Sequence, residues 1–565
     1  TTIDSYYSDY EFYQEGQSRE GTIFTLDQLQ ELQQQPFLDH RFLNDQRFDI
    51  SSPSLQSCLE EIAKLGEILS KEIHQEVAQS KKNKQDSFPS TSLKLLRICG
   101  EGLKLSSERA INPTNTPSTK VASQGLSTEE IVRIAGKSYF KFFTQGIDAT
   151  SILNTSVDAS LSGLSNEDSK SVELAELIIP SADKVSNHQY DCPSILLDQC
   201  DSLSSATGNA VQRLVYYFSK ALRERIDRET GRITFQDLEK LRSFNINEKI
   251  MASTPTILAC HQQVPFSQVA HFAGIQAILE QVSETKKIHV IDLGIRIGVQ
   301  WTVLMQALAS QSKFHTELFK ITAVGTTKKK LMEDTVGTTK KKLMEDTGKR
   351  LRSFAQTINF PFSFKTVIVS DMLEFEEDLF ELDADETVVF YCDCLLTSLI
   401  PLPDRLASLM KVIRNLNPCI MPCIMVVNEP ENNTASHAFV NRFIEALFHC
   451  SAFFDCLEAC MGDDPNRIII ESFHFGEAIK NILAAEGVER KVQNAKLDVW
   501  RSFFARHGMY KVEPSASSLF QANLVAKKFA CGNSSAVLMD GKDLIIGWKG
   551  TPLHSLSAWK FISQD

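Results

Sequence analysis

The chain has 565 residues, of which 42% are hydrophobic and 23% are charged, and it carries a formal net charge of -12 at pH 7. This length exceeds one ordinary domain, and the composition supports a large buried core and excludes bulk disorder. The negative charge argues against a protein that coats nucleic acid through its overall electric field, although a local basic patch remains compatible with it.

The cysteines and apolar runs exclude two further classes. The thirteen cysteines do not have the paired Cys-x-x-Cys spacing of a zinc site, so we expect free thiols in a reducing compartment and no metal site. The apolar runs are shorter than the roughly 18 residues that a membrane helix requires. The first residues, TTIDSYYSDY, have neither the basic nor the apolar block of a secretory signal. We therefore expect an intracellular, soluble protein that does not enter a membrane.

Residues 1–165 are predicted to be a variable, partly disordered region. Residues 54–79 carry a helical stripe of Leu and Ile, and residues 111–125 are a linker rich in Pro, Ser and Thr. After this linker, Ser127 and Glu130 have the spacing of a capping box, which predicts the start of a helix.

Residues 166–565 are predicted to be globular, with a helical cap over about 168–283 and a Rossmann-like core over about 284–565. In the cap, residues 209–231 place their apolar side chains on one helix face and end at Gly231. Residues 265–284 are predicted to form a second amphipathic helix.

The core alternates strand-like apolar runs with helical segments, which predicts an α/β fold with a parallel, doubly wound sheet. After the stretch at residues 286–301, the strand candidates are LFKITAVG, FKTVIV, ETVVFYC and IMVVNE. The end of the chain mixes helices with shorter strands. Its segments SLFQANLVAKKF, AVLMD and LIIGWKG could add antiparallel strands to one edge of the sheet.

Two exact tandem copies interrupt the core. VGTTKKKLMEDT occurs at 324–335 and at 336–347, and PCIM occurs at 418–421 and at 422–425. Both are too short and too few for a solenoid, so they indicate a recent in-frame duplication or a sequence-assembly error. We expect the first to lengthen the loop or helix start after strand two, and the second to be bulged or looped out.

The stretch KKIHVIDLGIRIGVQW resembles the loop with which methyltransferases bind S-adenosylmethionine. Such a loop has a third glycine, where this chain has Arg296, and an acidic residue after strand two, where this chain has Gly325 and Thr326. We therefore interpret the loop as a degenerate pocket without a cofactor. A methyltransferase or a small-ligand sensor remains the alternative. The pocket residues are Asp292, Gly294, Arg296 and Gly298.

We assign no catalytic residue. Asp393 ends a predicted strand, where an enzyme could hold an acid, but a helix cap or loop residue is the commoner role. The histidines have neither metal-ligand spacing nor a neighbouring nucleophile motif, which is typical of ordinary core or surface histidines.

Two charged segments have a structural and a functional interpretation. Residues 374–386 contain eight acidic residues among thirteen, and we favour a solvated helix face over an activation segment. The basic residues of the 209–231 helix are also interpreted as a solvated face, with phosphate contacts as the alternative. They are Arg213, Lys220, Arg223, Arg225 and Arg228.

Several motifs occur in the order that is typical of one family. IHVID is similar to a VHIID core, RFIEALFHCSAFFD lies in a PFYRE-like region, and LSAWKF contains a SAW triplet. The residues concerned are Ile288, His289, Val290, Ile291, Asp292, Arg467, Glu471, Arg490, Trp500, Gly508, Trp548, Ser557, Ala558 and Trp559. Over about residues 170–562, the chain thus resembles the GRAS family of plant transcriptional regulators.

This resemblance implies a methyltransferase-related Rossmann-like core with a helical cap and no enzymatic role. It also implies a nuclear protein that pairs with other transcription factors, or with GRAS proteins as homo- or heterodimers, and contacts DNA indirectly or weakly. The carboxyl half is most similar to the DELLA-like branch, which acts in gibberellin signalling. The first 150 residues contain neither a DELLA nor a TVHYNP segment, so the resemblance does not extend to gibberellin-receptor contact.

Overall fold

The computed structural model describes residues 125–144, 164–234, 254–311, 315–326, 335–416, 423–491, 493–529 and 531–562. The predicted helical stripe at 54–79 and all but the last residue of the 111–125 linker lie outside these residues. Among the described helices, none is both long and apolar enough to cross a membrane.

Four helices form the first part of the described chain. They are α1 (Thr128–Thr144), α2 (Asn166–Ser186), α3 (Asp191–Leu203) and α4 (Ala210–Glu229). The capping box before α1 is present, because the amide of Ser127 donates to Oε2 of Glu130 at 3.0 Å and the amide of Glu130 donates to Ser127 Oγ at 3.2 Å. These two bonds satisfy amide groups that the first helical turn leaves unpaired.

Helix α4 begins and ends as its sequence predicts. Asn209 and Gln212 form a second capping box at its start. At its end, Gly231 has φ = +72°, the left-handed conformation in which glycine commonly terminates a helix. Residues 254–263 are also helical, and α5 (Pro265–Val282) follows them.

Five parallel strands form the first part of the sheet, in the spatial order β3, β2, β1, β4, β5. Their ranges are β1 (Lys287–Asp292), β2 (Leu318–Thr326), β3 (Phe362–Val369), β4 (Thr387–Asp393) and β5 (Ile424–Pro430). The crossover helices are α6 (Val299–Ala309), α7 (Thr335–Thr357) and α8 (Pro403–Arg414). The doubly wound parallel sheet predicted from the alternating pattern is therefore confirmed.

After β5 the chain is helical again before it returns to the sheet. The helices are α9 (Phe439–Met461), α10 (Pro465–Ile469), a π-helix (Ile470–Gly476), α11 (Glu477–Leu483), α12 (Leu497–Arg506) and, later, α13 (Ala516–Lys528). The strands β6 (Met509–Val512), β7 (Ser535–Asp540), β8 (Asp543–Trp548) and β9 (Thr551–Phe561) extend the sheet. All their pairings are antiparallel, and β9 pairs with β5, β8 and β6.

The buried apolar side chains form three clusters. One joins α1–α4 to α9 and α11. The other two cover the two faces of the sheet, with α8 and α12 on one face and α5, α6, α7 and α13 on the other. A sheet covered on both faces requires nearly continuous apolar strands, which is the pattern of β1, β4 and β5.

Three sequence predictions differ from the structure. Residues 374–386 are not a solvated helix. They contain two short 3-10 turns, and Phe375 and Phe380 are buried under β4 and α8. SLFQANLVAKKF lies in α13 rather than in a strand. The expected amphipathic helix α5 is buried on most of its surface, because it packs between the sheet and helices α6 and α13.

The tandem copies fall partly outside the described residues. The second copy of the longer repeat lies in α7, which agrees with a lengthened helix start after β2. In the shorter repeat, Cys423 to Met425 of the second copy lead into and begin β5, which pairs with β4 in regular register from Val389↔Ile424 onwards. The described part of β5 therefore contains no bulge in this pairing.

Candidate functional site

In the sheet, β1 lies between β2 and β4. The order in which the chain adds strands to the sheet therefore reverses between β1 and β4. In an open α/β sheet, ligands bind outside the carboxyl ends of the strands at such a point. Asp292 ends β1, Asp393 ends β4 and Glu429 precedes the end of β5. These three carboxyl groups define the floor of the candidate site.

Asp292, from the VHIID-like segment, is held from one side by Trp301. The indole Nε1 donates to Oδ2 of Asp292 at 2.8 Å, and Trp301 also packs edge-on against Tyr391 at 5.0 Å. Burial raises the pKa of Asp292 to about 7, while the hydrogen bond from Trp301 lowers it in part. Asp292 is thus anchored within the core and is 1% exposed.

The two glycines of the loop differ in their surroundings. A side chain at Gly298 (φ = +69°) would lie 2.9 Å from Cγ2 of Thr347, so this glycine allows α6 to pack closely on α7. Gly294 (φ = +137°) faces open space, with no atom within 4 Å of a hypothetical Cβ. The loop therefore keeps the backbone shape that allows a ligand to approach Gly294.

The end of β2 has a cation in the region where a methyltransferase holds an acid. Lys340 donates from Nζ to the carbonyl oxygen of Thr326 at 2.7 Å, and burial lowers the pKa of this ammonium group. An ammonium group cannot accept hydrogen bonds from the ribose hydroxyls of S-adenosylmethionine. The described residues therefore do not fit this cofactor at β2. They also contain no group of three or more His, Cys, Asp or Glu residues that could hold a metal ion.

Arg296 stands in the loop after β1, at the position of the third glycine in a methyltransferase loop. Its side chain is exposed to solvent, yet the surrounding protein disfavours its charge by burial. Electrostatic attraction from nearby acidic groups, of which Asp393 is the strongest, outweighs this burial and raises the pKa of Arg296.

Asp393 lies at the end of β4, as the sequence predicts, and the cap position of the following 3-10 turn is Leu395. The Oδ2 of Asp393 lies 3.6 Å from Nε2 of His271, and its Oδ1 accepts a 2.7 Å hydrogen bond from Asn428. Burial opposes its charge, but His271, Arg296 and Asn428 together hold the pKa of Asp393 below its usual range. Asp393 is therefore a carboxylate at neutral pH.

Glu429 has the opposite protonation state. Its Oε1 accepts a hydrogen bond from the amide of Leu396 at 2.8 Å, whereas Oε2 has no partner among the described residues. Burial raises the pKa of Glu429 to about 8, although the Leu396 amide lowers it in part. At neutral pH, Glu429 is largely a neutral acid that can donate a hydrogen bond.

Histidines from the helices and from β9 lie near these strand ends. His261 and His271 lie 5.2 Å apart between ring centroids, and His554 stacks on Phe266 at 5.2 Å. Burial, assisted by the positive charge of Arg296, lowers the pKa of both His474 and His554 to about 4. These two imidazoles are therefore neutral and lie within the electrostatic range of Arg296.

His289 of the VHIID-like segment has a structural environment, as expected for an ordinary core histidine. It is fully buried, its Nδ1 lies 2.9 Å from Oε2 of Glu386, and its Nε2 lies 2.8 Å from Oγ1 of Thr322. Its neighbours Ile288, Val290 and Ile291 are also fully buried in β1. This segment organises the sheet, and its last residue, Asp292, lies at the carboxyl end of β1.

The basic residues of α4 are neither a solvated face nor free to contact phosphates. Arg213, which is 1% exposed, pairs with Glu471 and Glu458. Arg225 pairs with Glu486 and Glu229. The corresponding partners of Arg228 are Glu489 and Glu224, and those of Arg223 are Asp198 and Asp201. Lys220 alone of this set is exposed, and it lies over the Tyr216 ring at 4.1 Å.

The remaining family motif residues have structural environments. Arg467 contacts Glu471 at 3.4 Å, and Arg490 donates to the carbonyls of Ser436 and Ala435. Gly508 adopts φ = +75° in the turn before β6. The three tryptophans of the set are buried to 2% exposure or less. In the SAW triplet, Trp559 donates from Nε1 to Ser557 Oγ at 2.9 Å, and Ala558 is buried beside them.

The structure thus brings Asp292, Gly294 and Arg296 together with residues that the sequence analysis did not select. Glu429 could have been selected, because it follows the apolar run of β5 at a strand end. Trp301, Lys340, His474 and His554 carry no local signal, since only the fold places them near the loop.

The fold defines the class of protein as a Rossmann-like α/β protein with an additional helical layer. The family model described as the GRAS domain family matches residues 174–560. The chain therefore belongs to the GRAS family, and the resemblance found in the sequence motifs is confirmed.

Individual relatives and a solved structure agree with this assignment. The chain is 28% identical over 390 residues to the DELLA protein RGL1 of Arabidopsis thaliana, covering 69% of the chain and 70% of that protein. It is 28% identical over 425 residues to Scarecrow-like protein 18 of Arabidopsis thaliana, covering 68% and 91%. The crystal structure of SCL7 from Oryza sativa superposes on the chain with a TM-score of 0.57 at 24% sequence identity. The match covers 68% of the chain and 99% of SCL7, and it supports the fold alone.

Proposed function

We propose that this protein is a transcriptional regulator that acts in the nucleus by binding other transcription factors or GRAS proteins. The match to the GRAS family over residues 174–560 is the observation that carries this proposal. Because relatives are named DELLA and Scarecrow-like proteins, hormone signalling of the gibberellin type or developmental signalling is the proposed context. Residues 166–565 would form the GRAS domain, and residues 1–165 would form the variable region.

The proposed interaction surface is the helical layer. Ile195 and Leu203 on α3 are 57% and 55% exposed, respectively, and an amphipathic partner helix could cover such side chains. The arginines of α4 are paired within the protein, so they support no strong phosphate contact from this helix. DNA contact is therefore proposed to be indirect or weak and sensitive to salt.

Partner capture tests the proposal. The full-length chain and the variant Ile195→Asp/Leu203→Asp would be used as bait in plant nuclear extract, with captured proteins identified by mass spectrometry. We expect transcription factors or GRAS proteins to bind the unaltered chain and not the variant. Leu538→Asp, a substitution at another exposed leucine, on β7, is the matched control. Capture of the same set by all three baits would contradict the proposed surface.

Methyltransferase activity is the alternative, and the open space at Gly294 is the observation in its favour. Titration calorimetry with S-adenosylmethionine separates the two functions. We expect no binding, because Lys340 occupies the end of β2 and Arg296 replaces the third glycine. Micromolar binding that Gly294→Val abolishes would establish the methyltransferase alternative.

A further inference from the structure

We propose that the groove between α2 and α9 is a docking site for an amphipathic helix of a partner protein, and that α1 occupies this groove as an internal competitor. Helix α1 precedes residues 174–560, which the family model matches, yet it packs against both α2 and α9. The inference rests on the proposed binding of partner proteins and adds a second surface to the one on α3.

The contact between α1 and the groove is apolar. The buried apolar side chains of α1 recur at spacings of three and four residues, which is how an amphipathic helix fills a groove. They are Ile131, Val132, Ala135 and Tyr139, and they belong to the same core cluster as α2 and α9. The facing side chains include Ile179 of α2 and Phe443, Leu447 and Phe448 of α9.

A carboxylate lies towards each end of α1. At the start of the helix, Oδ1 of Asp455 on α9 accepts a hydrogen bond from the amide of Thr128 at 3.2 Å, where a negative charge also complements the helix dipole. Further along, Tyr139 donates from its hydroxyl group to Oδ2 of Asp183 on α2 at 2.8 Å. The groove therefore favours a helix with free amides at its start and a side-chain donor about three turns later.

The donor to Asp183 contributes to specificity. Asp183 is 5% exposed, so a docked helix without a donor at the position of Tyr139 would leave a buried carboxylate oxygen without that hydrogen bond, which costs free energy. Tyrosine combines this donor with an apolar ring that the groove also buries. The expected partner segment is an amphipathic helix that carries a tyrosine, or another long side chain with a donor, at this position.

The packing of α1 in the groove is incomplete, which makes the helix replaceable. A small cavity remains between α1, α2 and α9, lined among others by Val132, Asp183 and Phe443, and the side chains around a void lose attractive contacts. Within α1, Gly136 and the β-branched Ile134 lower the helix propensity. A partner helix with a larger side chain in place of Val132 and no central glycine would therefore dock more favourably than α1.

Fluorescence anisotropy with the full-length chain and a labelled peptide of residues 126–144 tests the proposal. In the unaltered chain, α1 competes with the peptide at an effective concentration on the order of millimolar. The variant Val132→Asp/Tyr139→Asp places charges in the apolar contact and beside Asp183, which should release α1. We expect this variant to bind the peptide at least about tenfold more tightly than the unaltered chain does.

Two controls and one graded variant accompany this measurement. A peptide with the same two substitutions should bind neither chain. Lys137→Asp changes an exposed position of α1, so this chain should behave as the unaltered one. Tyr139→Phe removes only the hydrogen bond to Asp183 and should give an intermediate affinity.

Three results would overturn the proposal. Loss of cooperative thermal unfolding in the double variant would make α1 an integral part of the core. A folded double variant that does not bind the peptide would show that the groove is not a docking site. Equal binding by the double variant and by either the unaltered chain or Lys137→Asp would show that α1 is not a competitor. Because the assay uses purified protein, its failure is distinguishable from a failure of partner capture in nuclear extract.

Discussion

The Nε of Arg213 donates a hydrogen bond to Oε2 of Glu471 at 2.8 Å, and the two residues are 258 positions apart in the chain. Both side chains are almost completely excluded from solvent, at 1% and 0% exposure. Arg213 lies on α4 and Glu471 on the π-helix, so this ion pair joins the helical layer to the segment that follows α9. Arg467 contacts the second oxygen of Glu471 at 3.4 Å.

Glu471→Gln should strongly destabilise the protein. The substitution preserves the shape of the side chain but places a neutral amide beside the buried guanidinium group of Arg213, whose other carboxylate partner, Glu458, is 45% exposed. Breaking a buried pair by removing one partner costs about 3–5 kcal/mol. Chemical denaturation monitored by circular dichroism would measure the change in the free energy of unfolding.

Arg223→Gln is the matched control for this substitution, because Arg223 pairs with the exposed Asp198 and Asp201 on the surface. A surface pair contributes at most about 1 kcal/mol. Equal losses of unfolding free energy in the two variants would show that the buried Arg213–Glu471 pair stabilises the fold no more than a surface pair does.

Trp559→Ala should destabilise the sheet. The indole of Trp559 is 2% exposed, packs on Phe504 at a centroid distance of 4.8 Å and donates to Ser557. Removing such a ring leaves a cavity and costs about 3–5 kcal/mol. Thermal and chemical unfolding would show the loss, and Trp559→Phe should retain part of the stability.

Tyr510→Ala tests whether this C-terminal region is instead a partner surface. Tyr510 is 47% exposed on β6, beside the strand that carries Trp559. Its replacement should change stability by no more than about 0.5 kcal/mol. If Trp559→Ala left unfolding unchanged and abolished partner capture, Trp559 would be an interface residue rather than a core residue.

The contribution of the buried histidines to stability should decrease as the pH falls from about 6.5 to about 4. Burial lowers the pKa of His449 to about 3 and those of His261 and His554 to about 4. The unfolded chain, in which histidine has its ordinary pKa near 6.5, binds protons first in this range. Each histidine therefore contributes stability that is complete above about pH 6.5 and decreases by at most about 1.4 kcal/mol per pH unit below it.

Urea unfolding at pH 7.5 and pH 5.0 would measure this dependence. His449→Gln should reduce the difference between the two midpoints, because one titrating imidazole is removed. His188→Asn is the control, since His188 is 71% exposed and asparagine tolerates its positive φ of 56°. An unchanged pH dependence in His449→Gln would contradict the buried, neutral state of this imidazole.

The strands could be predicted from the sequence because burial on both faces requires continuous apolar runs. Ile288, Val290 and Ile291 are an example, and they are fully buried in β1. The pairing of Arg213 with Glu471 could not be predicted, since an amphipathic pattern identifies a charged helix face but not the segment that covers it. The candidate site was predicted only at its glycine loop, because Glu429 reaches the strand ends from a distant part of the chain.

The acidic segment at residues 374–386 shows a further limit of such patterns and leads to a prediction. Its charges suggested a solvated helix, but Phe380 is 0% exposed and packs edge-on against Phe375 at 5.0 Å and against Phe390 of β4 at 6.4 Å. Phe380→Ala should therefore cost about 3–5 kcal/mol of unfolding free energy.

Leu373→Ala provides the comparison at the residue that precedes this segment, because Leu373 is 52% exposed and its loss should change stability by no more than about 0.5 kcal/mol. If residues 374–386 were an activation segment, Phe380→Ala would leave folding unchanged. It would then reduce transcription in a reporter assay with matched protein levels. The buried ring stack instead predicts that any loss of transcription follows the loss of folded protein, which parallel unfolding curves and immunoblots would show.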